Sequence, residues 1–302
     1  MSQSNFRSVY TVMQSQPTSD GDGVKIRRVA GFNHKHFSPF LMIDELKADD
    51  KKDYVGGFPP HPHRGIETLT YMLNGHFQHK DHMGNVGELR SGGAQWMAAG
   101  QGVIHSEMPI MQNGQLHGFQ IWINQPAKDK MKPAKYFDFQ PETITVKTFS
   151  EQNQIKVIAG NLNVNGEKLQ GPLTDTGVFA TVADWKAQDT SQLSFEVNQQ
   201  HNALIYVYQG EVSIVDETKT DKEIKRLRTA DLAVLPKSDH SDADSKQTDQ
   251  IVLQASKDAG VLIFVGEPID EPVVHYGPFV MNSMDEINQT IDDYQSGKFH
   301  QY

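Results

Sequence analysis

The stretch FPPHPHRGIETLTYMLNG, residues 58–75, decides the fold prediction. It places His61 and His63 one residue apart, directly after prolines, and it continues into an alternating run of polar and apolar residues. Side chains of a β-strand alternate between its two faces, so both imidazoles of an H-x-H sequence on a strand point the same way. The stretch therefore predicts a strand that carries half of a metal site.

The same alternating pattern recurs along the chain and predicts an all-β fold. The runs are IETLTYML, GFQIWINQP, LSFEVNQ, ALIYVYQGEVSIV, LAVLP and AGVLIFVGEP. Turn residues between them favour antiparallel strands closed into barrels or sandwiches. Hairpin-like turns at residues 73–76 and 208–211 fall at comparable places and indicate a duplicated barrel. We place the boundary near residue 147, which gives units of residues 1–147 and 148–302.

The composition restricts the possible functions. The chain of 302 residues is long enough for two domains of about 150 residues each. The formal charge of −10 disfavours direct nucleic-acid binding, which needs a basic face. No apolar run approaches the roughly 20 residues of a membrane span, and the first residues lack the apolar core of a signal peptide, so we expect a cytoplasmic protein. Zero cysteines leave imidazole and carboxylate groups as the metal ligands.

A second ligand pair completes the predicted site. GQGVIHSEMP, residues 100–109, contains His105-x-Glu107, whose side chains share one face of a strand. Two such strands facing each other would bring three imidazoles and one carboxylate together. Glu67 is a competing carboxylate, because it follows His63 by four residues and has the same parity. On spacing alone, Glu67 and Glu107 are equivalent candidates.

The spacing of His61, His63, Glu67, Gly75, Gly102 and His105 resembles the two cupin motifs. Together with GGAQWMAAGQGVIHSEMP (92–109), GFQIWIN (118–124), GEPIDEPVVHYGPFVMNS (266–283) and FSPFLMIDEL (37–46), the chain resembles the pirin family. The resemblance implies a bicupin fold, with two antiparallel β-barrel domains of the double-stranded β-helix or jelly-roll type. It also implies one metal, typically iron, in the N-terminal barrel (1–147), and no metal in the C-terminal barrel (148–302).

Carried over from the family, the metal ligands fall on His61, His63, His105 and Glu107. Glu67 then becomes a candidate that fixes an imidazole by hydrogen bonding, or an alternative base. Fe²⁺ is the expected ion, with nickel, copper, manganese and zinc as competitors. The pair His240-x-Asp242 is expected to lie in a solvated loop.

The remaining candidates are expected to have structural roles. We expect the pair His34-x-His36 to lie in a polar turn, and His117 to lie either in the core or in the pocket. Histidines that follow the first turn are expected at a barrel mouth or on the surface: His76, His79 and His82. Four large side chains are expected to line the barrel: Trp96, Met97, Phe119 and Trp122. A capping box of Ser283 and Glu286 predicts a C-terminal helix that covers a barrel face.

The resemblance implies a metal-dependent dioxygenase that opens the central ring of a flavonol such as quercetin with O₂. Glu107 is the expected base for the flavonol hydroxyl, and Glu67 is the alternative. The competing hypothesis is a non-enzymatic, iron-binding redox sensor that regulates through protein partners. A site of three imidazoles and one carboxylate fits either hypothesis. The fold does not distinguish them either, because one fold can host unrelated functions.

Overall fold

The structure is a computed structural model that describes residues 5–111, 114–217, 223–238, 247–255 and 257–300. Strands dominate these residues, and one α-helix lies near the end of the chain, so the all-β prediction is confirmed. Among the described residues, no helix is both long enough and apolar enough to cross a membrane.

Twelve strands precede residue 140. They are β1 (Thr11–Gln14), β2 (Gln16–Asp20), β3 (Val24–Ala30), β4 (Phe40–Ala48), β5 (Phe58–His63), β6 (Ile66–Asn74), β7 (His76–Asp81), β8 (Val86–Arg90), β9 (Ala94–Ala98), β10 (Val103–Pro109), β11 (Leu116–Asn124) and β12 (Lys135–Phe139).

Fourteen further strands and the helix follow. They are β13 (Thr145–Ser150), β14 (Asn153–Ala159), β15 (Asn161–Val164), β16 (Glu167–Gln170), β17 (Ala180–Ala187), β18 (Ser191–Asn198), β19 (Asn202–Gln209), β20 (Glu211–Val215), β21 (Glu223–Arg228), β22 (Asp231–Leu235), β23 (Thr248–Ala255), β24 (Ala259–Gly266), β25 (Val274–Tyr276), β26 (Phe279–Met281) and α1 (Met284–Gln295). Short 3₁₀ turns lie at Lys35–Phe37, Lys51–Asp53, Pro141–Thr143 and Lys298–His300.

The strands form two barrels of two sheets each. The first barrel has a seven-stranded sheet in the order β12-β9-β6-β11-β4-β3-β2 and a four-stranded sheet in the order β5-β10-β7-β8. The second has a seven-stranded sheet, β1-β22-β19-β24-β17-β14-β13, and a six-stranded sheet, β16-β15-β18-β23-β20-β21. The division that the sequence places near residue 147 stays a prediction. The strand pairing adds that β1, at the start of the chain, pairs with β22 of the second barrel.

The two barrels repeat one topology. In each seven-stranded sheet a central strand, β6 or β19, is followed by a turn at Gly75 or Gly210 and then by a strand of the smaller sheet. The prediction that these turns close hairpins is therefore wrong, since their flanking strands do not pair with each other. Their equivalence in the two halves is nevertheless real, because each turn carries the chain from the larger sheet to the smaller one.

The two seven-stranded sheets pack face to face and bury an apolar layer between the barrels. Alternation in β6 sends Leu69 and Tyr71 into this layer, where they join side chains of the second barrel such as Leu204 and Phe264. The opposite face of β6 carries Thr70, which lies inside the first barrel. One face of this sheet therefore contributes to the inter-barrel core and the other to the barrel interior.

Two buried carboxylates tie the barrels together. Asp184 on β17 accepts hydrogen bonds from the hydroxyls of Tyr71 (2.8 Å) and Tyr208 (2.6 Å). Glu45 on β4 accepts one from the Tyr206 hydroxyl at 2.6 Å and lies 2.9 Å from His117 Nε2. His117 therefore belongs to the core between the barrels.

Candidate metal centre

Two neighbouring strands of the four-stranded sheet hold the predicted ligands. β5 and β10 pair antiparallel, with His105 opposite His61 and Val103 opposite His63. A register shift between His105 and Glu107 then places Glu107 opposite Phe58. The alternation of a strand explains why His61 and His63 reach the same face.

The structure brings His61, His63 and His105 together. One ring nitrogen of each lies within 4.8 Å of one ring nitrogen of the others. The ring centroids are 4.9 Å apart for His61 and His63, 4.4 Å for His61 and His105, and 5.1 Å for His63 and His105. Glu107 does not belong to this three-residue group. Its role as a fourth ligand stays a prediction.

Hydrogen bonds fix which nitrogen of each ring is free. His61 Nδ1 donates to the Pro59 carbonyl oxygen (2.8 Å), and His63 Nδ1 lies 3.4 Å from the Pro278 carbonyl oxygen. Because a carbonyl oxygen only accepts, the proton of each ring sits on Nδ1 and the lone pair on Nε2. His105 Nε2 is buried and has no hydrogen-bond partner among the described residues. An orphaned imidazole nitrogen beside two free ones fits a bound transition-metal ion.

Burial keeps these imidazoles neutral. It lowers the pKa of His63 to about 3 and that of His105 well below its ordinary value, with the neighbouring histidines adding to both shifts. Burial also lowers the pKa of His61. Since metal ligation needs the neutral ring, the site requires no deprotonation of these residues at neutral pH.

Glu107 lies beside the histidines inside the first barrel. Burial raises the pKa of Glu107 to about 7, and the hydrogen bond that Thr70 Oγ1 donates to Glu107 Oε1 (3.0 Å) opposes this shift. Thr70 also contacts the side-chain oxygen of Gln120. A carboxyl group with a pKa near 7 exchanges protons readily near neutral pH.

Glu67 lies away from the histidines, so the parity argument that grouped it with His61 and His63 is wrong. The strand breaks at Gly65, whose φ is +78°, and β5 and β6 belong to different sheets. Glu67 accepts hydrogen bonds from Trp96 Nε1 (2.9 Å) and from the Gly177 backbone N–H (2.7 Å). These partners occupy both oxygens, and neither is an imidazole. The hydrogen bonds of Glu67 therefore do not support a role in orienting an imidazole, and its role as an alternative base stays a prediction.

A cavity of about 750 Å³ opens onto this centre. His61, His63 and Glu107 lie in its wall together with Gln120. The apolar lining includes Phe32, Met42, Leu46, Phe58 and Trp122, and charged side chains of Asp20, Asp22, Arg28 and Asp44 also line the cavity. The volume lies within the range of roughly 300 to 1,000 Å³ that is usual for small-molecule sites.

The four large side chains that were expected to line the barrel do not all lie on the same face of the sheet. Trp122 does line the cavity and contacts His63 edge to face, with ring centroids 5.1 Å apart. Trp96 and Phe119 instead face the second barrel and join the inter-barrel core. Met97 packs with Ile66 and Val103. The expectation that all four line the barrel is therefore wrong for Trp96 and Phe119, whereas Met97, opposite Thr68 in register, lies on the same face of the sheet as Trp122.

His79 is a residue whose position the sequence did not predict. It is only 2% exposed, although a place at the barrel mouth or surface was expected. Its Nδ1 lies 3.4 Å from His105 Nδ1. The signal that could have located it is the parity of His79 with Phe77, which is also buried on β7.

The C-terminal segment closes one side of the centre. His275, Gly277 and Pro278 line the cavity, although they lie more than 150 residues away from the three histidines in sequence. The backbone N–H of Val280 donates a hydrogen bond to the Arg64 carbonyl oxygen at 3.1 Å. The segment that follows the last strand of the second barrel therefore forms part of the cavity wall in the first barrel.

The interior of the second barrel is filled by apolar side chains, among them Leu193, Phe195, Ile251 and Leu253. That this barrel binds no metal stays a prediction. His240 and Asp242 lie outside the described residues.

Two cupin barrels in one chain, with a three-histidine cluster in the first, define a bicupin. The model of the pirin family matches residues 23–123, and the model of the pirin C-terminal cupin domain matches residues 182–300. The chain belongs to the pirin family.

Similar proteins agree with this assignment. A Vibrio cholerae protein named "Putative quercetin 2,3-dioxygenase" is 58% identical, with 98% of this chain and 99% of the relative covered. A pirin-like protein of Caulobacter vibrioides is 38% identical over 97% of this chain and 99% of the relative. The crystal structure of quercetin 2,3-dioxygenase from Acinetobacter baumannii superimposes with a TM-score of 0.85 and 29% identity, and covers 97% of this chain and 98% of that one.

Proposed function

We propose that this protein is a metal-dependent dioxygenase that opens the central ring of a flavonol with O₂, in keeping with its likeness to the Acinetobacter baumannii protein named quercetin 2,3-dioxygenase. The observation that carries the proposal is the cavity of about 750 Å³, whose largely apolar wall includes His61 and His63. Three neutral imidazoles with one neighbouring carboxylate suit a divalent first-row metal, and we propose iron(II). When bound, that ion would supply Lewis acidity and a redox path to O₂.

The cavity wall suits a flat aromatic substrate. Phe32 and Trp122 contact each other edge to face, with ring centroids 6.2 Å apart, and His275 stacks on Phe32 at 4.1 Å. These rings offer an apolar surface to an aromatic ring system and exclude water from it. His61 and His63 belong to the same cavity wall as these rings.

Glu107 is the residue that we propose to take the proton of the substrate hydroxyl. Its carboxyl group lines the cavity, and Thr70 holds one of its oxygens. Thr70 contacts Oε1, and we propose that the other oxygen, Oε2, accepts the proton. General-base catalysis of this kind contributes about 10²- to 10⁴-fold to a rate.

Metal binding is tested by elemental analysis of the wild type and of His63→Ala and His105→Ala. We expect one metal per wild-type chain and loss of metal from both variants, while circular dichroism remains that of a folded β-protein. Full occupancy in both variants would refute the assignment of the ligands. Two metals per chain would refute the prediction for the second barrel.

Activity is tested by anaerobic loading with iron(II), followed by oxygen-uptake assays with quercetin and with simple catechols. Glu107→Gln should lower turnover by about 100-fold or more relative to the wild type, a larger loss than that of its metal content. Glu67→Gln is the matched control, because it removes a buried carboxylate outside the cavity and should retain turnover per folded molecule. If fully loaded wild type consumes no oxygen with any of these compounds, the proposal fails. No observation among the described residues favours the regulatory hypothesis.

A further inference from the structure

His79 approaches the metal centre from the side opposite to His61 and His63. β10 lies between β5 and β7, and His79 on β7 is paired in register with Glu107. The His79 ring stacks on Tyr136 with centroids 4.2 Å apart and an interplanar angle of 17°. This stacking holds the ring so that its Nδ1 lies 3.4 Å from His105 Nδ1.

The position of the protons follows from the groups around His79. Its Nε2 makes no hydrogen bond among the described residues but lies 3.5 Å from Asp81 Oδ2, close enough for a charge interaction, and the two side chains are 2% and 0% exposed. The Asp81 carboxylate is itself held in place by Asn85 Nδ2, which donates to Oδ2 at 2.7 Å. Because a carboxylate only accepts, it favours the His79 proton on Nε2, which leaves the lone pair on Nδ1. Two lone pairs facing each other would repel, so His105 Nδ1 carries a proton.

We propose that His79, oriented by Asp81, is a positioning residue whose Nδ1 accepts a hydrogen bond from the Nδ1–H of His105 and thereby keeps His105 Nε2 free to bind the metal. The carbonyl oxygens of Pro59 and Pro278 do the same for His61 and His63. For His105 alone the acceptor is a side chain, which a substitution can remove. The inference rests on the proposed metal centre and is independent of the dioxygenase activity.

The first test measures the affinity of the metal-free protein for Ni²⁺ by competition with a chelator. His79→Phe keeps a ring for stacking on Tyr136 and removes the acceptor, so the dissociation constant should rise about 10- to 100-fold. His79→Asn places an amide oxygen near the former Nδ1 and should restore most of the affinity. His76→Phe is the control on the same strand and should leave the affinity at the wild-type value. Equal affinities for His79→Phe and the wild type would overturn the proposal.

The second test needs no variant. Ring ¹⁵N spectra of the metal-free wild type report which nitrogen of each imidazole carries the proton. We expect His105 to be protonated on Nδ1 in the wild type and to populate the Nε2-protonated form in His79→Phe. A wild-type His105 protonated on Nε2 would overturn the proposal even if His79→Phe did not fold. If both tests give the expected results but the iron-loaded wild type consumes no oxygen, the proposed activity fails and the role of His79 stands.

Discussion

Glu67 and Glu107 are buried carboxylic acids that both have a raised pKa but lie on different sides of the first barrel's larger sheet. Burial raises the pKa of each to about 7. Glu107 points into the cavity of the first barrel, whereas Glu67 accepts hydrogen bonds from Trp96 and Gly177 outside it. A raised pKa therefore shows only that both carboxyl groups are buried. Their positions distinguish them: Glu107 lies in the cavity wall and is a candidate base, whereas Glu67 lies outside the cavity.

The raised pKa of Glu67 makes stability depend on pH. Between about pH 4.5 and pH 7 the unfolded chain has lost this proton while the folded protein retains it, so ionisation of Glu67 costs the folded state free energy as the pH rises. Glu67→Gln cannot ionise. We therefore expect the unfolding free energy of the wild type, relative to Glu67→Gln, to fall from pH 4.5 to pH 7 and to level off above pH 7.

Urea unfolding of both proteins at several pH values measures this difference. The variant also places an amide NH₂ against one of two N–H donors, so it should be less stable than the wild type by about 1 to 3 kcal/mol at low pH. A wild-type-to-variant difference that is constant from pH 4.5 to pH 7 would contradict the assigned pKa shift.

At the scale of elements, the junction between β5 and β6 connects the three-histidine cluster to the C-terminal helix. A Cβ on Gly65 would lie 2.0 Å from the Val280 carbonyl oxygen, so only glycine allows β26 to pack this closely. Next to it, Arg64 Nη1 donates to Asp293 Oδ2 on α1 at 2.9 Å, and its guanidinium lies 4.3 Å from the Phe299 ring centroid. The predicted cap of this helix is confirmed, since the Ser283 side chain accepts from the Glu286 N–H.

Asp293→Ala should destabilise the protein, because the Arg64 side chain is 2% exposed and would lose a charged partner. Hydrogen bonds to charged groups contribute about 2 kcal/mol, and we expect a loss of that size in the unfolding free energy. Asp292→Ala, on the exposed side of the same helix, is the control and should change stability by less than about 0.5 kcal/mol. Urea unfolding followed by tryptophan fluorescence measures both. Equal losses in the two variants would show that the ion pair contributes nothing specific.

At the scale of the whole molecule, the barrels share one apolar core. Side chains of both seven-stranded sheets, such as Leu69 and Phe264, belong to a single buried cluster. Separating the barrels would expose this layer to water, which makes their independent unfolding unfavourable. The buried hydroxyls of Tyr71 and Tyr208 share Asp184 as their acceptor within the same region.

We therefore expect one unfolding transition in calorimetry, and we expect Asp184→Ala to lower its midpoint without splitting it. The variant leaves two buried hydroxyls without their acceptor, at a cost of about 3 kcal/mol in total. Asp270→Ala is the control, because Asp270 is largely exposed and its ion pair with Lys237 spans 3.6 Å. Two separate transitions in the wild type would contradict the shared-core argument.

The sequence by itself determined the features that depend on local spacing. Strand alternation placed His61 with His63, the motif GQGVIH supplied His105, and the cap at Ser283 located the helix. Only the tertiary structure decided the direction of Glu67, the burial of His79 and the approach of Pro278 to His63. Residue spacing predicts which side chains share a face only within an unbroken strand. Gly65, with its left-handed backbone, lies between β5 and Glu67 and breaks that alternation. The partners of His63 and His105 lie on other strands, and the packing of those strands decides which atoms meet.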